Sequence, residues 1–340
     1  MFDSGIGDSL GNVNKVIYDN TFSIGLIMIL MKRLVAGVSA GALALGIGAC
    51  SAVSEDSSST DGGDGLTVAT SFYPLAWMVE QVGGDDVTVI SMTPSNVEPH
   101  DYELSPADIA KMNEADVVVY VEGFQPSMDD AVDSLTGPEV LELSGAVGLL
   151  PLDEEVADAH GDDDEGSNHG DLDPHFWLDP IRMRETSEYI EEALIAADAD
   201  HKATFEQNQD AVYTKLSDLD SSYKSGLATC ERQTVVTTHA AFGYLTSRYG
   251  LTQVAISGID PEAEPNPADL AAIKKTIEQT GTTTVFAEEL ASPKTAEAVA
   301  EETGADLQVL NPLESQPAEG DYISWMDSNL STLRTALGCQ

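Results

Sequence analysis

Three histidines and one glutamate, His100, His175, His239 and Glu314, stand 75, 64 and 75 residues apart, each in a loop-like stretch beside a strand signal. Imidazole nitrogen and carboxylate oxygen are the donors zinc prefers in a four-coordinate shell, whereas manganese favours more oxygen. A lone histidine is more often an ordinary surface or core residue. This chain has only six, and three of them stand near strand ends among aromatic and proline residues. Two donors fall on each side of a long helical stretch, so donors that meet at one ion meet in a cleft between two lobes. The sequence contains no H-E-x-x-H, no short-spaced ligand pair and no nucleophile elbow, which favours capture of an ion over catalysis.

Local context differs among these residues. His239 directly follows Val235 to Thr238, at the C-terminal end of a strand, where open α/β sheets place ligands. His175 lies in DLDPHFWLDP, between two Asp-Pro steps that restrict the backbone. Asp173 or Asp179 suits the imidazole N–H that faces away from an ion, though Asp179 equally suits a helix cap, and Phe176 and Trp177 read as core. Glu288 and Glu289 follow a strand and are reserve donors. His201, at a helix start, reads as structural.

The elements that must position these residues alternate between β-branched runs and helices, the pattern of parallel sheet with crossover helices. Strands are expected at Thr67 to Thr70, Val87 to Met92, Val117 to Val121, Thr234 to Thr238, Thr283 to Ala287 and Leu307 to Leu310. Ser105, Pro106 and Asp108 mark a helix start, as do Asn266, Pro267 and Asp269. Ser292 with Pro293 opens another helix that Gly304 closes. Residues 181–227 lack strand signal, while Ile190, Leu194, Phe205, Val212, Leu216 and Leu219 recur at helical spacing, implying two helices broken near Asp200. The expected fold is α/β, with an N-terminal lobe at 66–180, linking helices at 181–227 forming a rigid joint, and a C-terminal lobe at 228–340.

The ends of the chain carry other signals. Lys32 and Arg33 after Met31, an apolar run from Leu34 to Gly46, and Ile47, Gly48, Ala49 and Cys50 resemble a bacterial lipoprotein signal peptide over 31–49, with Cys50 as the lipid anchor. The competing transmembrane reading would put Lys32 and Arg33 mid-span. Residues 1–30 read as an upstream extension, with Met31 the expected start, and 50–65 as a flexible tether. An exported protein matures where disulfides persist, so Cys230 and Cys339 are either a bridge stapling the C-terminal helix to a strand start or two unpaired thiols. The 59 acids against 15 Lys plus Arg give a formal charge of −44, which repels phosphate backbones and excludes nucleic acid as a partner. Residues 153–173 hold ten of those acids with His160 and His169 and no base: an auxiliary cation-capturing loop or a solvated insertion.

The stretches EPHDYELSPAD, DPHFWLDP, TTHAAFGYLTSRYGL, GIDPEAEPNPADL, FAEELASPKTAEAVAEETGA and LNPLES together resemble the metal-binding lipoproteins of bacterial ABC importers, cluster A-I solute-binding proteins, and within them the zinc-specific branch. The resemblance runs from Leu66 to Cys339 and implies His100, His175 and His239 as ligands. Manganese members carry an aspartate where this chain has Asn311, whereas zinc members with LNPLES use the glutamate equivalent to Glu314. Other zinc members use water or a carboxylate just before the first histidine, where Glu98 stands here, offset by Pro99. The implied function is capture of Zn2+, as transported ligand, at the outer face of the cytoplasmic membrane by a lipid-anchored monomer, and delivery to a permease and its ATPase. The alternatives are Mn2+ or Fe2+ carriage on the same fold, or a zinc-stabilised surface adhesin.

Overall fold

The computed structural model describes residues 65–151 and 172–340. The signal-peptide, Cys50-anchor and tether readings lie outside these residues, as do His160 and His169. In the N-terminal part, β1 (Leu66–Thr70), α1 (Tyr73–Gly83), β2 (Val87–Ser91), α2 (Pro106–Glu114), β3 (Val117–Tyr120), α3 (Pro126–Val132) and β4 (Glu139–Glu142) form an all-parallel sheet in the order β2-β1-β3-β4. After α4 (Ser144–Val147), the two-residue strands β5 (Leu150–Pro151) and β6 (Leu172–Asp173) pair antiparallel.

In the C-terminal part, β7 (Thr234–Thr237), α7 (Gly243–Arg248), β8 (Thr252–Ala255), α8 (Pro267–Thr280), β9 (Thr284–Ala287), α9 (Lys294–Thr303), β10 (Asp306–Val309) and α10 (Tyr322–Leu337) build a second all-parallel sheet, β10-β9-β7-β8. Two parallel-sheet α/β lobes are thus present, as expected. Between them, α5 (Pro180–Ala197) and α6 (Lys202–Gly226) pack on one another as a hairpin through a 3-10 turn at Ala199–His201. At about 1.5 Å per residue, the 25 residues of α6 reach from α1 in the first lobe to α10 in the second.

Local sequence explains most element starts. Ser105 and Asp108 form a reciprocal capping box beneath Pro106, and the Asn266 side chain accepts the Ala268 and Asp269 N–H groups. Ser292 does not cap α9: Pro293 occupies the N-cap position and makes no side-chain cap bond, while left-handed Gly304 closes the helix as expected. His201 donates to Asp198 at 2.5 Å within the interhelical turn, a structural role.

One hydrophobic cluster runs through both lobes, from Leu66 and Phe72 to Tyr322 and Leu337. Trp77 on α1 stacks on Tyr322 of α10 at 4.7 Å, and the Tyr223 hydroxyl of α6 donates to Met326 O at 2.7 Å. The lobes therefore share a core instead of merely being tethered. Cys230 and Cys339 form a disulfide that closes the second lobe.

Candidate metal centre

Each donor arrives from a turn at one end of a sheet. His100 lies on the long connection from β2 to α2, His239 two residues past β7, and Glu314 beyond β10; His175 sits between β6 and α5. Carbonyl ends of parallel strands open toward the crevice where such folds receive ligands. The Glu314 loop needs special backbone geometry: Leu313 takes a left-handed φ of 62°, and the Asn311 side-chain oxygen accepts the Leu313 N–H at 2.7 Å. The Asn329 amide of α10 brackets Asn311 on both sides, accepting its N–H at 3.0 Å and donating to its carbonyl at 2.7 Å. From the first lobe, Trp177 Nε1 donates to Pro312 O at 2.8 Å, tying the His175 turn to the Glu314 loop. Trp177 is core, as expected, but is also the brace between two donor segments.

The four side chains converge. One donor atom from each of His100, His175, His239 and Glu314 lies within 4.8 Å of the others, and all four residues are at most 4% exposed. Glu314 Oε1 stands 3.6 Å from His100 Nε2 and 3.3 Å from both His175 Nε2 and His239 Nε2; His175 and His100 Nε2 are 3.3 Å apart. A tetrahedral ion with bonds of about 2.0–2.1 Å needs donor separations of about 3.3–3.4 Å. Among the described residues, Glu314 Oε1 and His239 Nε2 are buried without a hydrogen-bond partner. Buried polar atoms left unpaired carry a desolvation cost, and both point to the place an ion would fill.

Carboxylates stand behind two of the imidazoles. His175 Nδ1 donates to Asp173 Oδ1 at 2.8 Å, and His239 Nδ1 to Glu288 Oε1 at 2.7 Å, which leaves each Nε2 facing the other donors. Asp179 instead caps α5 and pairs with Arg248. Glu288, a reserve donor on sequence grounds, sits outside the four-donor group as the acceptor of His239, and also takes the Thr238 hydroxyl hydrogen bond. Exposed Glu289 accepts from Asn311 Nδ2 at 3.1 Å. Glu98 accepts the His100 backbone N–H at 3.1 Å and also lies outside the group. Burial and the Glu314 charge push its carboxyl up to about 8.

Electrostatics divide the donors. Burial lowers His100. Burial opposes protonation of His175 and His239 too, but Asp173 and Glu314 raise the first, and Glu288 and Glu314 raise the second well above the usual imidazole range. Burial would raise Glu314, yet the three imidazoles hold it well below the usual carboxylate range. A concentrated, ionised carboxylate facing three nitrogens is a site for a cation.

A family description of the zinc-uptake complex component A, periplasmic, matches residues 68–336. The chain belongs to this family. Among relatives of this zinc-uptake component, zinc-binding lipoprotein AdcA of Streptococcus pneumoniae (strain ATCC BAA-255 / R6) is 38% identical over 278 residues, covering 79% of this chain and 55% of AdcA. High-affinity zinc uptake system protein ZnuA of Bacillus subtilis (strain 168) is 35% identical over 301 residues, 86% of this chain and 93% of the relative. The chain thus spans about half the length of AdcA, and most of ZnuA. Within the family fold, the crystal structure of Zn(II)-bound AdcA from S. pneumoniae matches with a TM-score of 0.67 at 36% identity, covering 80% of this chain and 58% of that one. The laminin-binding protein Lmb of Streptococcus agalactiae, described as bifunctional with adhesin and metal transporting activity, matches with a TM-score of 0.71 at 32% identity, covering 80% and 100%.

Proposed function

We propose that this chain binds Zn2+ through His100, His175, His239 and Glu314 outside the cytoplasmic membrane and delivers it to a membrane permease driven by an ATPase. The observation that carries the reading is the buried cluster of three imidazole nitrogens around one carboxylate oxygen, with separations of 3.3–3.6 Å to that oxygen. Membership of the zinc-uptake component family supports zinc over manganese. The neutral Asn311, held by Leu313, Glu289 and Asn329, supports it further: its side chain is occupied in shaping the loop, and Glu314 supplies the carboxylate.

The ion is cargo. A catalytic zinc keeps a coordination position open for water, whereas four protein donors would fill a four-coordinate shell. Assays of the zinc form on generic ester, amide and phosphate substrates should give no metal-dependent turnover. The tether of residues 50–65 and a Cys50 lipid anchor would hold the monomeric lobes at the membrane, consistent with lipoprotein relatives. Residues 66–180 and 228–340 act as the two lobes, with residues 181–227 as the joint. His160 and His169 in the acidic loop serve as auxiliary capture groups.

Elemental analysis with competitive titration of the mature chain against Zn2+, Mn2+ and Fe2+ tests the assignment. One zinc per chain, displacing the other two, is expected; preferential Mn2+ retention would transfer the reading to that metal. The likeness to bifunctional Lmb favours one second reading, a surface adhesin whose zinc stabilises the fold. Loss of zinc-dependent uptake on deleting the gene separates the importer from a protein that is an adhesin alone.

A further inference from the structure

His175 comes from the first lobe, but part of its support comes from the second. Its backbone N–H and its Nδ1–H both donate to Asp173 Oδ1, at 2.9 and 2.8 Å. Asp173 is itself packed against the start of α7, four residues beyond His239. A Cβ on Gly243 would lie 2.8 Å from Asp173 Oδ2, so the carboxylate occupies that position only because residue 243 has no side chain. The next residue, Tyr244, is buried at 2% exposure, and its hydroxyl donates to Asp173 O while accepting the Leu150 N–H, each at 2.7 Å. Leu150 and Asp173 are partners in the β5–β6 pair. One hydroxyl therefore pins both strands of that pair.

We propose that Gly243 and Tyr244 are positioning residues for His175, acting across the lobe boundary through Asp173. The segment that carries His239 then also sets the rotamer and the protonated nitrogen of His175, making these two donors a preformed pair. His100 Nδ1, by contrast, is buried with no hydrogen-bond partner among the described residues, which place no such brace behind the third imidazole. The inference rests on the metal-binding reading for its consequence, but its structural core concerns only the chain's own groups.

A double-mutant cycle tests it. Asp173→Ala removes the acceptor and is expected to weaken zinc binding by about 10- to 100-fold, as loss of a partner behind a ligand does. Gly243→Ala displaces the same carboxylate and should cost a similar factor in the otherwise native chain. In the Asp173→Ala background it should cost under about twofold, the scatter of independent sites. Equal penalties in both backgrounds would mean Gly243→Ala acts by general damage, and would overturn the proposal.

Tyr244→Phe, which keeps the ring and removes only the hydroxyl, supplies a gentler variant. NMR of the metal-free protein reads the brace directly: the His175 Nδ1 proton should be visible downfield in the native chain and shifted or lost in Gly243→Ala and Tyr244→Phe. An unmoved resonance in both overturns the proposal whatever the zinc titrations give. A native chain that binds no zinc but shows the resonance moving would instead sink the metal reading and leave the positioning role standing.

Discussion

At the scale of single residues, the donors carry unequal weight. His239 has the Glu288 carboxylate behind it and faces Glu314, so replacing it breaks two buried interactions at once. Calorimetric titration of His239→Ala should show zinc affinity falling by orders of magnitude, and unchanged binding would remove it from the site. Glu314→Ala should cost less, because water can fill a fourth position; an equal loss in Asn311→Ala would mean the loop and not the carboxylate matters. Protons compete for the same atoms. His239 and His175 are raised above their ordinary value of 6.5, so the metal-free site still holds protons near neutrality, and zinc must expel them. Affinity should fall as pH falls, beginning above the usual imidazole range. Titration in buffers of differing ionisation enthalpy should record proton release on binding at pH 7. For the metal-free fold the sign is opposite: the raised histidines contribute stability that is complete below about 6.5 and lost as pH climbs through their folded values.

At the scale of elements, the second lobe is stapled late. The Cys230–Cys339 bridge has a sequence separation of 109 and encloses His239 and Glu314 but neither His100 nor His175. Removing it with paired serine substitutions should cost about 2–5 kcal/mol of stability, visible as a lower melting temperature in calorimetry. Zinc should restore part of that loss; a bridge without effect on melting would show the tail already pinned by the backbone hydrogen bonds from Arg232 N–H to Leu337 O and from Gln340 N–H to Thr229 O. The elements differed in how plainly the chain announced them. Helices α2 and α8 were readable from Ser105 and Asn266, because side-chain caps act through neighbours in sequence. Strands β4 and β8 were not, because EVLE is half glutamate and TQVA has a single large apolar residue, Val254, so neither short edge reads as a β-run in sequence. The three histidines and Glu314 were legible as candidates. The roles of Glu288, Gly243 and Tyr244 were not, because each depends on what another segment places beside it.

At the scale of the whole molecule, a formal charge of −44 opposes compaction of the metal-free protein while drawing cations toward it. Added sodium chloride should therefore raise the melting temperature as exposed acids are screened, over the range in which the Debye length contracts below about 10 Å. A melting temperature that falls with salt would mean surface ion pairs outweigh self-repulsion. The shared core limits how far the lobes can part, since Trp77, Trp177, Tyr223 and Tyr322 would all have to leave their partners. The bond from Trp177 to Pro312 has a further consequence in time. A chain emerging from the ribosome offers His100, His175 and then His239 before residue 312 exists, and until then the indole lacks its acceptor and the histidines lack their carboxylate. The trap is completed only when the segment carrying Glu314 joins the histidines, so a chain stalled before that segment has at most three of the four donors.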